Sequence, residues 1–154
     1  MTSDASSETV RGYVFFVYGM PAPQGSKKFV GMVKGHGVMV ESSKKVKPWR
    51  QDVKARAIEV REGAAPLEGP LVARMVFTLP KPMSAPKRKR TYADKKPDLS
   101  KLVRSTEDAL TDAGLWRDDA RVIEYTRLAK VFPGEDPEAL SSPGVRIMVQ
   151  QAHP

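Results

Sequence analysis

Five carboxylates set the chemistry this chain can do: Asp98 at the head of a long amphipathic stretch, Glu107 and Asp108 within it, and the adjacent pair Asp118-Asp119 beyond it. A hard cation such as Mg²⁺ takes oxygen ligands, usually one or two carboxylates completed by water and substrate phosphate. Lys101 and Arg104 lie in the same stretch, and a cation so placed offsets charge that accumulates on a phosphoryl group in its transition state. Together these residue types suit cleavage of a phosphodiester, with Asp98, Asp118 and Asp119 as metal ligands. Each also has a plainer reading. An Asp before a helix is a favoured N-cap, an Asp pair after Trp116 makes a polar turn, and Arg104 with Asp108 is an i,i+4 pair worth a few tenths of a kcal/mol. The two sets of readings are compatible.

The charge distribution points the same way. The 154 residues carry a net +8, unevenly spread. Residues 81–96 hold seven bases (Lys81, Lys87, Arg88, Lys89, Arg90, Lys95, Lys96) against Asp94 alone, while residues 98–119 hold six acids against three bases. A basic, extended arm followed by an acidic island is what a nuclease needs, because cations neutralise backbone phosphates while carboxylates hold metal at the scissile one. Lys27, Lys28 and the run Lys87, Arg88, Lys89, Arg90 are the expected DNA contacts. Tyr92, the one aromatic residue in the arm, reads as a packing or phosphate-contacting residue.

Several chemistries drop out. With no cysteine and only His36 and His153, thiolate zinc sites, iron–sulfur clusters, cysteine nucleophiles and multi-histidine centres are excluded. The apolar run Val14–Met20 is far too short to span a bilayer, and Asp4 and Glu8 leave the first ten residues without the basic start of a leader. A cytoplasmic protein with no membrane association is expected.

The elements that must position these groups follow from periodicity. Residues 1–10 are Ser-rich and aperiodic, a disordered tail, and 11–151 read as a single domain. Tyr13–Tyr18 is aromatic and β-branched throughout, which predicts a strand buried on both faces or at the sheet centre. A Pro/Gly loop carries Lys27 and Lys28 out of it, and residues 29–40 suggest a flexible hairpin. Residues 48–61 read as an amphipathic helix opened by Pro48 and stopped by Gly63, with Trp49, Val53, Ala57 and Val60 inward. Leu71–Leu79 is a strand ended by Pro80.

Residues 98–112 form the clearest helix. Leu99, Leu102, Val103, Ala109 and Leu110 fall within an arc of roughly 120°, opposite Ser100, Lys101, Arg104, Glu107 and Asp108. Gly114 is its stop, Val122–Phe132 alternates as a strand, residues 133–144 are an acidic turn, and Val145–Gln150 closes the sheet. The fold class expected is α+β: a two-layer mixed sheet of about four or five strands with two main helices. Asp98 and the Asp118-Asp119 pair are expected to meet at one end of that sheet.

The segments GMPAPQGSKK, KPDLSKLVRSTEDAL and GLWRDDARV, in this order and spacing, resemble the RusA family of Holliday-junction resolvases, a crossover-junction endodeoxyribonuclease type found in phages and prophages. The resemblance runs from the first strand to about Lys130. It implies a homodimeric, Mg²⁺-dependent endonuclease (Mn²⁺ as substitute) that nicks four-way DNA junctions in recombination, repair or phage replication, in the cytoplasm of a bacterial or phage-infected cell. By position, Asp98 and Asp119 match essential family carboxylates, Asp118 the acid beside the latter and Asp108 the helix aspartate before Ala-Leu. Three positions depart. Ser100 replaces an aspartate, Lys101 an asparagine and Arg104 a lysine, the last exchanging a compact ammonium for a planar fork. Glu107, on the same helix side as Ser100, and Asp108 are the acids that can compensate. An active nuclease with a rearranged metal site is the favoured outcome. A branched-DNA-binding protein that cuts poorly is the alternative, and a non-catalytic DNA-binding or RNA-binding protein is a further class, with no RNP-like stacking segment to support the RNA reading.

Overall fold

The computed structural model describes residues 10–25, 27–33, 36–41 and 44–153, with 27–33 and 36–41 described as backbone only. The expected tail therefore lies, Val10 apart, outside the described residues, as do the side chains of Lys27, Lys28 and His36.

The chain runs through β1 (Gly12–Tyr18), β2 (Lys27–Val33), β3 (His36–Glu41), α1 (Val46–Arg61), β4 (Leu71–Thr78), α2 (Leu99–Asp112), a 3₁₀ turn (Asp119–Arg121), β5 (Val122–Val131) and β6 (Gly144–Gln151). The main sheet has the order β1-β6-β4-β5, and β2 pairs with β3 in a separate antiparallel hairpin. β6 is antiparallel to both β1 and β4, whereas β4 and β5 run parallel. This is the mixed-sheet, two-helix α+β architecture expected.

Placement within the sheet departs from expectation in three ways. β1 is an edge strand, with Phe15 and Val17 buried but Val14, Phe16 and Tyr18 exposed. Aromatic and β-branched composition marks a strand without fixing how many faces are covered. On the open face the Arg146 guanidinium lies 5.3 Å from the Phe16 ring centroid, so the stem of a charged side chain shields part of it. β6, expected to close the sheet, lies between β1 and β4. Lys27 and Lys28 open β2 instead of ending a loop.

α1 begins two residues before Pro48 because Val46 extends its apolar side, and Trp49, Val53 and Ala57 are buried at the expected spacing. The helix ends with Glu62 and Gly63 at φ 48° and 75°, the left-handed turn that favours glycine. Between the helices and the sheet lies the core, where Trp49, Trp116, Phe77, Leu102 and Ile147 are almost wholly buried. Each such side chain contributes about 1.5–3 kcal/mol of transfer free energy.

On the other face of the sheet the acidic turn folds back as an ion-pair network. Arg127 donates to Asp136 at 2.7 and 2.9 Å and to Glu138 at 2.8 Å, and Arg74 pairs with Glu138 as well. The basic arm is tied in too: Lys81 lies 2.6 Å from Glu135, Thr91 N donates to Glu135 at 2.6 Å, and Arg90 reaches Asp136 at 3.6 Å. The arm's acidic partners are thus in the turn after β5 and not in the 98–119 island that follows it in sequence.

The hydrogen bonds from Arg127 hold Asp136 down to about 2, and that from Arg74 holds Glu138 at about 2, below their ordinary 3.8 and 4.5. A depressed carboxylate contributes stability that is present above its unfolded value and lost as pH falls through its folded one. Asp136→Asn is expected to lower the melting midpoint at pH 7 and to flatten the acid limb between about pH 4 and 2, followed by circular dichroism. A variant that melts like wild type throughout that limb would contradict the network's role.

Candidate active site on the crossover helix

Two parallel neighbours cannot be joined by a hairpin, so β4 must return to the start of β5 through a crossover, and α2 is its helical part. Its inner side carries Leu102, Val103, Ser105, Thr106, Ala109 and Leu110, all buried. The two polar residues among them are satisfied: Ser105 Oγ donates to Ala22 O at 2.7 Å, and Thr106 accepts from Trp49 Nε1 at 3.2 Å. The loop after β1 docks on the first turn, where Gln24 N donates to Lys101 O at 3.0 Å. Gly19 starts that loop at φ 152°, and a Cβ there would lie 2.5 Å from an Asp52 carboxylate oxygen. Lys130 of β5 donates from Nζ to Lys95 O at 2.8 Å and to Pro97 O at 2.9 Å, which fixes the chain entering α2. Arg50 of α1 reaches Asp112 at 3.3 Å near the far end.

Asp98 occupies the N-cap position with extended backbone, yet its side chain makes no capping hydrogen bond. The carboxylate is 52% exposed and stands 3.9 Å from Lys101 Nζ, so the capping role that its position suggests is not the role it plays. Asp118 does cap, accepting from Ala120 N at 2.9 Å at the start of the 3₁₀ turn. Asp119 follows as the first residue of that turn.

The acids that act on Asp119 are its neighbour Asp118 and, from the second half of α2, Asp108. Partial burial raises the Asp119 carboxyl above its ordinary value, Asp118 and Asp108 raise it further, and Arg104 opposes them. Glu107 accepts a hydrogen bond from the Tyr125 hydroxyl at 2.7 Å. Burial raises Glu107 above its ordinary range, the Tyr125 bond acts against this, and Asp119 and Asp108 add to the rise. Tyr125 is itself raised, by burial and by Glu107. Arg104 therefore serves both acids, and the i,i+4 ion pair expected with Asp108 does not form among the described residues.

The expected meeting of Asp98 with Asp118-Asp119 at one end of the sheet does not occur. The chain enters α2 beside the end of β5, where Lys130 holds Lys95 and Pro97, whereas Asp119 opens the 3₁₀ turn that leads into the start of β5 at Val122. A crossover helix runs against its two parallel strands, so its ends belong to opposite ends of the sheet. The structure brings together Asp118, Asp119, Asp108, Glu107 and Arg104, and leaves Asp98 with Lys101 at the head of the helix. Ser100 is exposed. Lys87, Arg88 and Lys89 are exposed and hold no side-chain ion pair among the described residues, while Arg90 is committed to Asp136.

Tyr125 and Lys130, which hold Glu107 and the entry to α2, are positions that sequence reasoning passed over. A tyrosine on the inward side of a strand needs a partner for its hydroxyl, and that requirement was the available signal for Tyr125.

Among the described residues, no three acidic or histidine side chains converge into a ready-made metal cage. The donor set is nevertheless hard oxygen, and Asp119 and Glu107 are both raised, first by burial and then by neighbouring acids. These residues fit a divalent cation bound by one or two carboxylates and completed by water and phosphate, the usual pattern for Mg²⁺.

Residues 19–150 match the family model described as Endodeoxyribonuclease RusA. No curated protein matches the chain.

A carboxylate raised above its unfolded value costs stability when ionised, and the cost vanishes once pH falls below that unfolded value, here 3.8. Asp119→Asn is accordingly expected to raise the melting midpoint at pH 7 by about 1–2 °C, with the gain disappearing below about pH 4. A lowered midpoint would show that Asp119 is compensated within the fold.

Proposed function

Because the chain belongs to the RusA endodeoxyribonuclease family, we propose that it is a structure-selective nuclease that resolves four-way DNA junctions, using the carboxylates gathered at the second half of α2 and the 3₁₀ turn. The observation that carries this reading is the electrostatic grouping of the 3₁₀ turn with α2, where Asp118 and Asp108 raise the Asp119 carboxyl, Asp119 and Asp108 raise Glu107, and Arg104 opposes both. Asp119, with Asp118 and Asp108 or Glu107, would hold Mg²⁺, with Mn²⁺ as a substitute. Such a cation polarises the phosphoryl group and lowers the pKa of the attacking water.

The chain's own groups supply the rest. Arg104 presents a planar fork that matches two phosphate oxygens. Glu107, fixed by Tyr125, takes the part of the carboxylate missing at Ser100, so the acidic centre lies further along α2. Lys101 stands ready for a flanking phosphate, and Lys87, Arg88 and Lys89, whose side chains hold no ion pair among the described residues, hold the DNA backbone with the salt dependence such contacts bring. Two strands nicked symmetrically call for two sites, and a homodimer is the assembly proposed, acting in recombination, repair or phage replication in the cytoplasm. The competing reading, a branched-DNA-binding protein that cuts poorly, is favoured by Ser100 and the absence of a three-carboxylate cage among the described residues.

The test is cleavage of a labelled synthetic four-way junction beside a linear duplex, with Mg²⁺ or with EDTA, by wild type and Asp119→Asn. Paired nicks confined to the junction, absent with EDTA and reduced on the order of a hundredfold or more in the variant, are expected. Tight junction binding without cleavage in either Mg²⁺ or Mn²⁺ would replace this reading with the binding one.

A further inference from the structure

A groove of about 660 Å³ opens between the loop after β1 and the basic arm, away from the acidic centre. Its lining includes Pro21, Leu79 and Phe132, all buried, so the floor is apolar. Lys45, Lys95 and Lys96 also line it, three bases against the single acid Asp94, as does Pro97, which immediately precedes Asp98. Tyr92 stands in the same lining but is 74% exposed, which rules out the packing role its sequence position suggested. The Arg90 guanidinium lies over its ring at 5.3 Å from the centroid. Because Arg90 is also paired with Asp136, the cation that covers the ring is itself held by the acidic turn.

An apolar floor with a lysine rim matches a ligand whose flat faces are apolar and whose backbone is anionic. A peptide held by its apolar side chains would have no use for three lysines, and a base inside an intact duplex presents only its edges to a groove. An unstacked nucleotide satisfies both halves of the site. Unstacking costs least where the helix is already interrupted, and an aromatic side chain backed by arginine gives a base a stacking surface without reading its identity.

We infer that this groove receives a nucleobase unstacked at the branch point of the DNA, with Tyr92 as the side chain on which it stacks. The inference rests on the proposed junction substrate. It gives the protein a means of recognising a branch that the acidic centre lacks, since carboxylates and Arg104 meet the same phosphates in any duplex.

The experiment is photocrosslinking of the full chain, in EDTA so that no cleavage occurs, to four-way junctions carrying 5-iododeoxyuridine either at the branch point or within an arm. A crosslink mapped to Tyr92 by mass spectrometry is expected from the branch-point probe and not from the arm probe. Tyr92→Ala is expected to lose that crosslink and to bind the junction about tenfold more weakly, while Tyr92→Phe keeps wild-type affinity. Junction binding by wild type with no crosslink to Tyr92, or with equal crosslinking from both probes, overturns the inference and leaves the nuclease reading intact. Equal affinity of wild type and Tyr92→Ala also overturns it. Failure of wild type to bind the junction at all removes both.

Discussion

Parallel pairing of β4 with β5 is the constraint from which the rest follows. It obliges the chain to leave the top of one strand and re-enter at the bottom of the next, and α2 with its flanking segments covers that distance. A helix used this way has one side committed to the core and the other left to solvent, which is why a single segment can both seal the sheet through Leu102 and Leu110 and offer Arg104, Glu107 and Asp108 to a substrate. The same constraint separates Asp98 from Asp119. Whatever meets both must run the length of α2, as an extended nucleic-acid backbone does and a small molecule does not.

Two groups of carboxylates show opposite electrostatics in one small domain. Asp136 and Glu138 are enclosed by Arg74 and Arg127, and their charges strengthen the fold. Asp119 and Glu107 are drawn partly out of water beside other acids, and their charges weaken it. Stability given up at one place and retained at another is the usual mark of a site kept for chemistry. The compensated network also reaches the substrate side, because it anchors Arg90 and with it the arm that carries Lys87, Arg88 and Lys89.

What was legible in the sequence was local. The 3.6-residue period placed both helices and assigned the sides of α2 correctly, since the pattern is set by which residues must leave water. The acidic run ending in Asp118-Asp119 marked a candidate site, and Asp119 lies under the influence of Asp118, Asp108 and Arg104. What was not legible was long-range. Nothing in Tyr13–Tyr18 distinguishes an edge strand from a central one, and no local signal places β6 inside the sheet. The capping role suggested for Asp98 is the commonest use of that position, and it fails here because the carboxylate turns towards Lys101. The contacts of Tyr125 with Glu107 and of Lys130 with Lys95 and Pro97 join residues that only the crossover brings together.

Glu107, fastened by Tyr125, is proposed to take the part of the carboxylate missing at Ser100. Single-turnover cleavage of a four-way junction should be measured for wild type, for Glu107→Gln and for Tyr125→Phe. A loss on the order of a hundredfold is expected for Glu107→Gln, with a smaller loss for Tyr125→Phe, which leaves the carboxylate in place without its anchor. Cleavage by Glu107→Gln at the wild-type rate would contradict that role.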